Sequence, residues 1–261
     1  MRLYKNSGGF GVFGLLITLL IVAAIAFVGW YAFIRDNEVA APTNTSQSTT
    51  NNGQAASFAT PKKSAHFETS TPAHRSTLAA VPADVVIDFN FDLADNSSIK
   101  ITKDGKDYGV GDKTIDSNKL AMRRSMDKNA PDGIYTVEYN ACWPDGSCHD
   151  GRHQFAIDSK LQASYEDVRN KDSVTIKLSD IKFQPTNILI STGTKVTWVN
   201  DDDEHHFVNT DSHPAHTHIL GLNSKSLSKG DSFSFTFAKT GAYPYHCSAH
   251  AANMTANIVV I

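Results

Sequence analysis

The sequence predicts an all-β protein in which two antiparallel β-sandwich domains follow an N-terminal transmembrane helix. A long uncharged apolar run lies near the N-terminus, and two separate sets of short alternating segments come after it. Gly, Pro, Asn and Asp cluster between these segments as turn signals. Neither set contains an amphipathic helical pattern of useful length.

Charge and length limit the functions to be expected. The chain has 261 residues and a formal net charge of −3, without basic runs in which aromatic residues are interleaved. This composition indicates no nucleic-acid partner. The length alone is compatible with one or two domains.

The apolar run covers residues 10–34 and contains a single polar side chain, Thr18. As a helix it would be about 37 Å long, enough to cross a hydrocarbon core of about 30 Å. A cleavable signal peptide is the alternative, but its apolar region is only about 7–15 residues long and ends in small residues. We therefore expect a retained single-pass membrane anchor.

Positive charge is biased to the N-terminal side of this anchor. Arg2, Lys5 and the amino terminus precede it, whereas Arg35 on the far side is followed by acidic residues. The positive-inside rule then predicts that residues 1–9 are cytoplasmic. The body of the protein would be extracytoplasmic, either periplasmic or at the cell surface.

Composition divides the rest of the chain into four segments. Residues 35–80 are rich in Thr, Ser, Asn and Pro and are expected to be a flexible linker. Residues 81–158 form the first predicted β domain, and the charged residues 159–172 form a second linker. Residues 173–261 form the second β domain.

Two of the three cysteines flank a Pro-Asp-Gly-Ser turn. In an exported body, Cys142 and Cys148 are expected to form a disulfide that closes a small loop. Cys247 is then left as a single thiol.

Cys247 lies in a loop with two other soft or nitrogen ligands, His250 and Met254. A second imidazole comes from the segment after residues 197–200, where His205 and His206 follow a strand. Two imidazoles and a thiolate in a trigonal plane, with a weak axial thioether, suit copper. Zinc is the alternative metal, because cysteine and histidine also bind it.

Residues 173–261 resemble the plastocyanin and amicyanin branch of the cupredoxins, which have a Greek-key fold. The matching parts are residues 197–200, residues 233–237, and the loop from Gly241 that reads Gly-x-Tyr-x-Tyr-His-Cys-x-x-His ahead of Met254. The family register assigns the first ligand to His206 and not to its neighbour.

This resemblance implies one type 1 copper held by His206, Cys247, His250 and Met254. It implies single-electron transfer to a redox partner protein that docks near His250, without enzymatic activity. The alternative is copper storage, delivery or resistance, in which the partner is a copper donor or acceptor protein.

A second group of histidines lies between the predicted ligands: His213, His216 and His218. Such a dense cluster is either a second metal site or a polar loop. His-x-His pairs also occur in multicopper oxidases, but their His-Cys-His loop is absent because Ser248 follows Cys247. A copper enzyme would require a substrate-accessible second copper here.

Residues 74–158 resemble the CopC family of copper-resistance proteins, an immunoglobulin-like sandwich. The resemblance rests on these segments: residues 81–84, 87–91, 99–101, 133–137 and 145–155. The family's copper site uses an N-terminal histidine and an Asp-x-His element. Here His74 follows a linker, so either Asp145, His149 and His153 bind metal or the domain is a spacer or docking module.

Overall fold

The protein is described by a computed structural model over residues 57–261, and these residues are all-β. They lie within one compact unit, Ala55–Ile261. The predicted cytoplasmic segment 1–9, the predicted anchor 10–34 and most of the predicted linker lie outside the described residues. Within residues 57–261, no helix has the length and apolar character needed to cross a membrane.

The first domain forms two sheets, with strand orders β1-β3-β7-β6 and β2-β9-β8-β4-β5. The strands are β1 Phe67–Thr71, β2 Thr77–Leu78, β3 Asp84–Phe89, β4 Ser98–Lys103, β5 Lys106–Asp107, β6 Gly109–Ile115, β7 Ala121–Met126, β8 Gly133–Cys142 and β9 Cys148–Ile157. Both sheets contribute side chains to one hydrophobic core, including Phe89, Met122, Tyr135 and Phe155. Period-two alternation positions these residues, as in β4, where Ile99 and Ile101 are buried on either side of the exposed Lys100.

The first domain begins earlier than the sequence predicts. Strands β1 and β2 lie inside the predicted linker 35–80, yet β1 pairs with β3 and β2 pairs with β9. The prediction was wrong here because it relied on apolar content, which this polar segment lacks. Ladder hydrogen bonds to β3 and β9 stabilise the segment instead.

The second domain also forms two sheets, with orders β10-β13-β18-β17-β15 and β12-β11-β14-β16. The strands are β10 Glu166–Asp167, β11 Ser173–Ser179, β12 Lys182–Gln184, β13 Asn187–Ile190, β14 Lys195–Asn200, β15 Asn209–Thr210, β16 Ser232–Thr236, β17 Gly241–His246 and β18 Thr255–Val260. Trp198, Phe183, Phe237 and Tyr245 lie in its core.

The predicted linker 159–172 is also partly regular. It contains a 3-10 helix, Ser159–Ser164, and strand β10, which pairs in parallel with β13. The sequence does not predict this strand, because the segment is charged and lacks apolar alternation. An edge strand this short needs only backbone pairing on one side, which leaves no pattern in the side chains.

The sheets are mixed and not purely antiparallel as predicted. Strand β11 pairs in parallel with β14, β13 with β18, and β2 with β9. Alternation of apolar and polar residues shows that a strand has one buried face, but it carries no information on the direction of the neighbouring strand. The parallel or antiparallel direction of each pair therefore could not be predicted without knowing how the strands are connected.

Cys142 and Cys148 form the predicted disulfide. They lie opposite each other at the ends of β8 and β9, where the two strands meet the turn. The bond therefore closes a hairpin that the backbone ladder already defines.

The two domains share a packed boundary. The Ala242 N–H donates to the Val81 carbonyl at 2.9 Å, and Ala242 joins the hydrophobic core of the first domain. Gly241 has a φ of 147°, and a Cβ at this position would lie 2.9 Å from the backbone nitrogen of Ala83. Only glycine allows the two backbones to approach this closely.

Candidate metal centre

The loop between β17 and β18 forms a closed hydrogen-bonded turn around Cys247. The Cys247 N–H donates to the Met254 carbonyl, and the Met254 N–H donates to the His250 carbonyl, both at 2.9 Å. The His250 N–H donates back to the Cys247 carbonyl at 2.9 Å. These bonds hold the three predicted loop ligands in one fixed arrangement.

His206 reaches this loop from the segment that follows β14. Its backbone exchanges hydrogen bonds with Leu227, at 3.1 Å and 2.8 Å, which fixes its position. The Nδ1 atoms of His206 and His250 each lie 3.6 Å from the Cys247 Sγ. His206 and Cys247 are fully buried, whereas His250 is half-buried.

These separations fit a metal ion between the three side chains. Metal–nitrogen bonds of about 2.0–2.1 Å and a metal–sulfur bond of about 2.3 Å, at angles between tetrahedral and trigonal, place nitrogen and sulfur about 3.5–3.8 Å apart. Met254 is buried in the same hydrophobic cluster as Cys247. His205 is exposed, and its Nδ1 lies 3.4 Å from the Ser226 hydroxyl, away from the thiol.

A carboxylate orients the His206 ring. The Asp202 Oδ2 lies 2.7 Å from the His206 Nε2, which leaves Nδ1 to face the thiol. Burial alone would raise the pKa of Asp202, but hydrogen bonds from the Ile181 N–H, from His206 and from the Asp180 N–H outweigh it and lower that pKa. Asp202 is therefore ionised at neutral pH.

The sulfur of Cys247 also has a backbone partner. The Phe207 N–H donates to the Cys247 Sγ at 3.3 Å. A hydrogen bond of this kind fixes the position of the sulfur between the two imidazoles.

A second group of metal-ligating side chains consists of His213, His216 and His246, whose candidate ligand atoms all lie within 4.8 Å of one another. We call it the second histidine cluster. Burial, and then the neighbouring imidazoles of His246 and His213, lower the pKa of His216. His216 therefore favours the neutral imidazole, which is the form that binds metals.

The composition of this cluster differs from the predicted set. His218 is not part of it: its side chain is buried, with Nε2 3.1 Å from the Asp84 carbonyl of the first domain, and burial lowers its pKa to about 4. The sequence reasoning missed His246. Since adjacent residues of a strand face opposite ways, a ligand at Cys247 already implies that His246 points to the other side of β17.

The residues proposed from the first domain do not come together in the same way. Among residues 57–261, only two groups of three or more metal-ligating side chains meet, and Asp145, His149 and His153 are in neither. His149 instead packs its edge against Trp143, with ring centroids 5.4 Å apart. His153 is buried, and its ring nitrogens make no well-formed hydrogen bond.

The buried His153 ring should make the folded protein less stable in acid. Burial and then the His74 imidazole lower its pKa from 6.5 to about 4, against an opposing effect of the Pro72 carbonyl. Since the unfolded chain binds this proton first, the stabilisation is complete above pH 6.5 and is lost as the pH falls towards 4. The loss should be on the order of 3 kcal/mol in the free energy of unfolding.

Denaturant unfolding at pH 7 and pH 4.5 measures this loss. The His153→Leu variant should lose less stability on acidification than the wild type, because the leucine has no proton to bind and replaces unpartnered nitrogens by apolar atoms. Equal losses in the two proteins would contradict the prediction.

Family comparisons match both domains. The profile described as copper binding proteins, plastocyanin/azurin family, matches residues 170–261, and the profile of the CopC domain matches residues 67–158. The plastocyanin of Scenedesmus fuscus is 32% identical over 99 residues, which cover 33% of this chain and 98% of that protein. The amicyanin of Paracoccus denitrificans is 26% identical over 81 residues, which cover 30% of this chain and 58% of that protein.

Solved structures give matches of the same kind. A purple cupredoxin from Nitrosopumilus maritimus is 29% identical, with a TM-score of 0.30, over 34% of this chain and 99% of that one. An amicyanin mutant in the Cu(I) form is 24% identical, with a TM-score of 0.30, over 34% of this chain and 83% of that one. The plastocyanin match and the two profiles show that the chain belongs to the plastocyanin/azurin family of copper-binding proteins and carries a CopC domain before the segment that matches this family.

Proposed function

We propose that this chain is an exported, membrane-anchored blue copper protein that transfers single electrons through one type 1 copper. The observation that carries the proposal is the placement of two imidazole Nδ1 atoms at 3.6 Å from one buried thiol sulfur. Each domain would be a β-sandwich, and strand ends of the second domain would position these ligands. Copper bound there would alternate between Cu(I) and Cu(II).

The protein residues favour electron transfer over catalysis. Hydrogen bonds within the Cys247–Met254 loop hold the ligands in place, so a change of oxidation state would require little reorganisation. His206, Cys247, His250 and Met254 would fill the coordination positions and leave none for a substrate. The half-buried His250 is the ligand ring nearest to solvent, and a redox partner protein would dock over it.

The visible and EPR spectra of the copper-loaded full chain, together with a metal count, test this function. We expect an intense visible band from thiolate-to-copper charge transfer, which disappears on reduction and returns on oxidation. A copper-loaded chain without this band, or one that binds zinc in preference to copper, would contradict the proposal.

The Asp202→Asn variant should weaken copper binding about 10- to 100-fold. The two Asp202 oxygens accept from the Asp180 and Ile181 N–H groups, and the asparagine has one acceptor oxygen for these two positions. The negative charge beside the His206 Nε2 is also lost. Because that charge favours Cu(II), the reduction potential should rise. Chelator competition and voltammetry measure the two effects, with Asp203→Asn, an exposed carboxylate paired with Lys229, as the control.

A second candidate function is copper storage, delivery or resistance without electron transfer, and the CopC domain at residues 67–158 favours it. The two functions differ in how firmly the ion is held. Rapid loss of Cu(I) to a chelator, with slow electron exchange with a small redox dye, would favour copper handling. Retained copper and rapid exchange would favour the electron carrier.

The membrane anchor is part of the proposal. It is supported by the length and apolar composition of residues 10–34 and by the positive charges that precede them. The chain should stay with membranes after alkaline extraction, and external protease should digest its body in cells without an outer barrier. Release by alkali would contradict the anchor, and protection from protease would contradict the orientation.

A further inference from the structure

We propose that the second histidine cluster, His213, His216 and His246, is a second metal site that binds copper or zinc through imidazole nitrogens alone. This site is separate from the type 1 ligands, although His246 is the residue directly before Cys247. It does not depend on the proposed electron-carrier function.

The positions of the rings fit a shared metal ion. The Nε2 atoms of His216 and His246 lie 3.2 Å apart, and the three ring centroids are 5.1 to 5.3 Å from one another. Two nitrogens bound to one tetrahedral ion at about 2.0–2.1 Å would be about 3.3 Å apart. The observed separation therefore needs almost no adjustment.

A carboxylate orients the buried member of the cluster. The Asp211 Oδ1 lies 2.8 Å from the His246 Nδ1, which leaves the His246 Nε2 facing the other two rings. Metal-binding histidines commonly have such a partner on the second nitrogen. The Ser248 hydroxyl, which donates to the Asn209 Oδ1, lies 3.0 Å from the His216 Nε2.

The first domain fixes the loop that carries His213 and His216. The buried Asp88 carboxylate accepts hydrogen bonds from Ser212 at 3.0 Å and from Thr217 at 2.5 Å. These two contacts lie on either side of the two histidines. Because the loop is held in place, little conformational entropy remains to be lost when a metal binds.

The same loop is held by three further contacts with the first domain. Arg123 donates to the carbonyl oxygens of Thr217 and His218, at 2.9 Å and 3.1 Å. The buried His218 ring contacts the Asp84 carbonyl. His218 is thus a structural anchor of the loop and not a ligand.

The ligand chemistry selects the class of metal. Three neutral imidazoles, without a thiolate or a ligating carboxylate, suit Cu(II) and Zn(II), and copper binds more tightly at a site that accepts both. Three protein ligands leave a fourth position for water or a small ligand. His213 and His246 line a cleft of 590 Å³ between the domains, together with His74 and His153, so this position would be reached from the cleft.

Counting bound metals on the full chain tests the site. After loading with Cu(II) and Zn(II) and removal of free metal, the wild type should hold two ions per chain, and elemental analysis shows which metal fills each site. The His213→Ala/His216→Ala variant should hold one ion and keep its intense visible band. The His205→Ala variant removes an exposed imidazole outside the cluster and should still hold two.

The visible band shows that the variant is folded, and the metal count reports the second site. One ion per wild-type chain, or two ions in the double variant, would overturn the proposal. If the visible band never forms, the count in the wild type against the double variant still decides the second site: a loss of one ion supports it, and no loss overturns it.

Discussion

Replacing Cys247 with serine should abolish the intense visible band of the copper-loaded chain and weaken copper binding by more than about 100-fold. The Cys247 thiol is the group that the His206 and His250 imidazoles both face, at 3.6 Å each. A serine hydroxyl remains protonated at neutral pH and supplies neither a charged ligand nor a sulfur charge-transfer band. Serine is nearly isosteric, so the loop should fold as before.

Absorbance during copper titration and competition with a chelator measure the two losses. Asn253→Ala is the matched control, because Asn253 is exposed in the same loop and only its backbone takes part in the hydrogen-bonded turn. The control should keep the band and the affinity. A serine variant with the wild-type band would exclude Cys247 as the copper ligand.

Replacing Arg123 with methionine should lower the free energy of unfolding by about 3–5 kcal/mol. Arg123 makes a bidentate contact with Asp116, and the two side chains are only 13% and 12% exposed. Its removal would leave a poorly solvated carboxylate without a partner. It would also free the carbonyl oxygens of Thr217 and His218 at the domain boundary.

Arg169→Met is the matched control for this experiment. Arg169 also pairs with a carboxylate, Asp167, but these side chains are 44% and 47% exposed. An exposed ion pair contributes little to stability, because water and salt screen the attraction. Denaturant unfolding of both variants should therefore separate them clearly, and equal losses would show that the Arg123–Asp116 pair contributes no more than a surface pair.

Sequence reasoning was most informative where residues that act together are also close in the chain. Cys247, His250 and Met254 lie on one loop, so their spacing alone indicated a soft metal site, and the strand before His206 supplied the register for the missing imidazole. The period-two alternation of β4 and β11 likewise predicted buried faces that the structure contains.

The parts that were not predicted depend on pairing between distant segments. His246 joins His213 and His216 because β15 pairs with β17, Asn209 opposite His246, and the loop after β15 returns to the same place. His218 leaves the cluster because the first domain offers the Asp84 carbonyl. Neither fact follows from local composition. The polar strand β1 was not predicted either, because it depends on pairing with the distant strand β3.

The contacts that Asp88 makes with Ser212 and Thr217 have a consequence for how such a chain arises in evolution. The proposed type 1 ligands all belong to the C-terminal domain, so recombination could move that domain as an independent module. The histidine loop would lose its anchors in such a transfer, because they lie in a different domain. Selection on the loop would therefore favour joint inheritance of both domains.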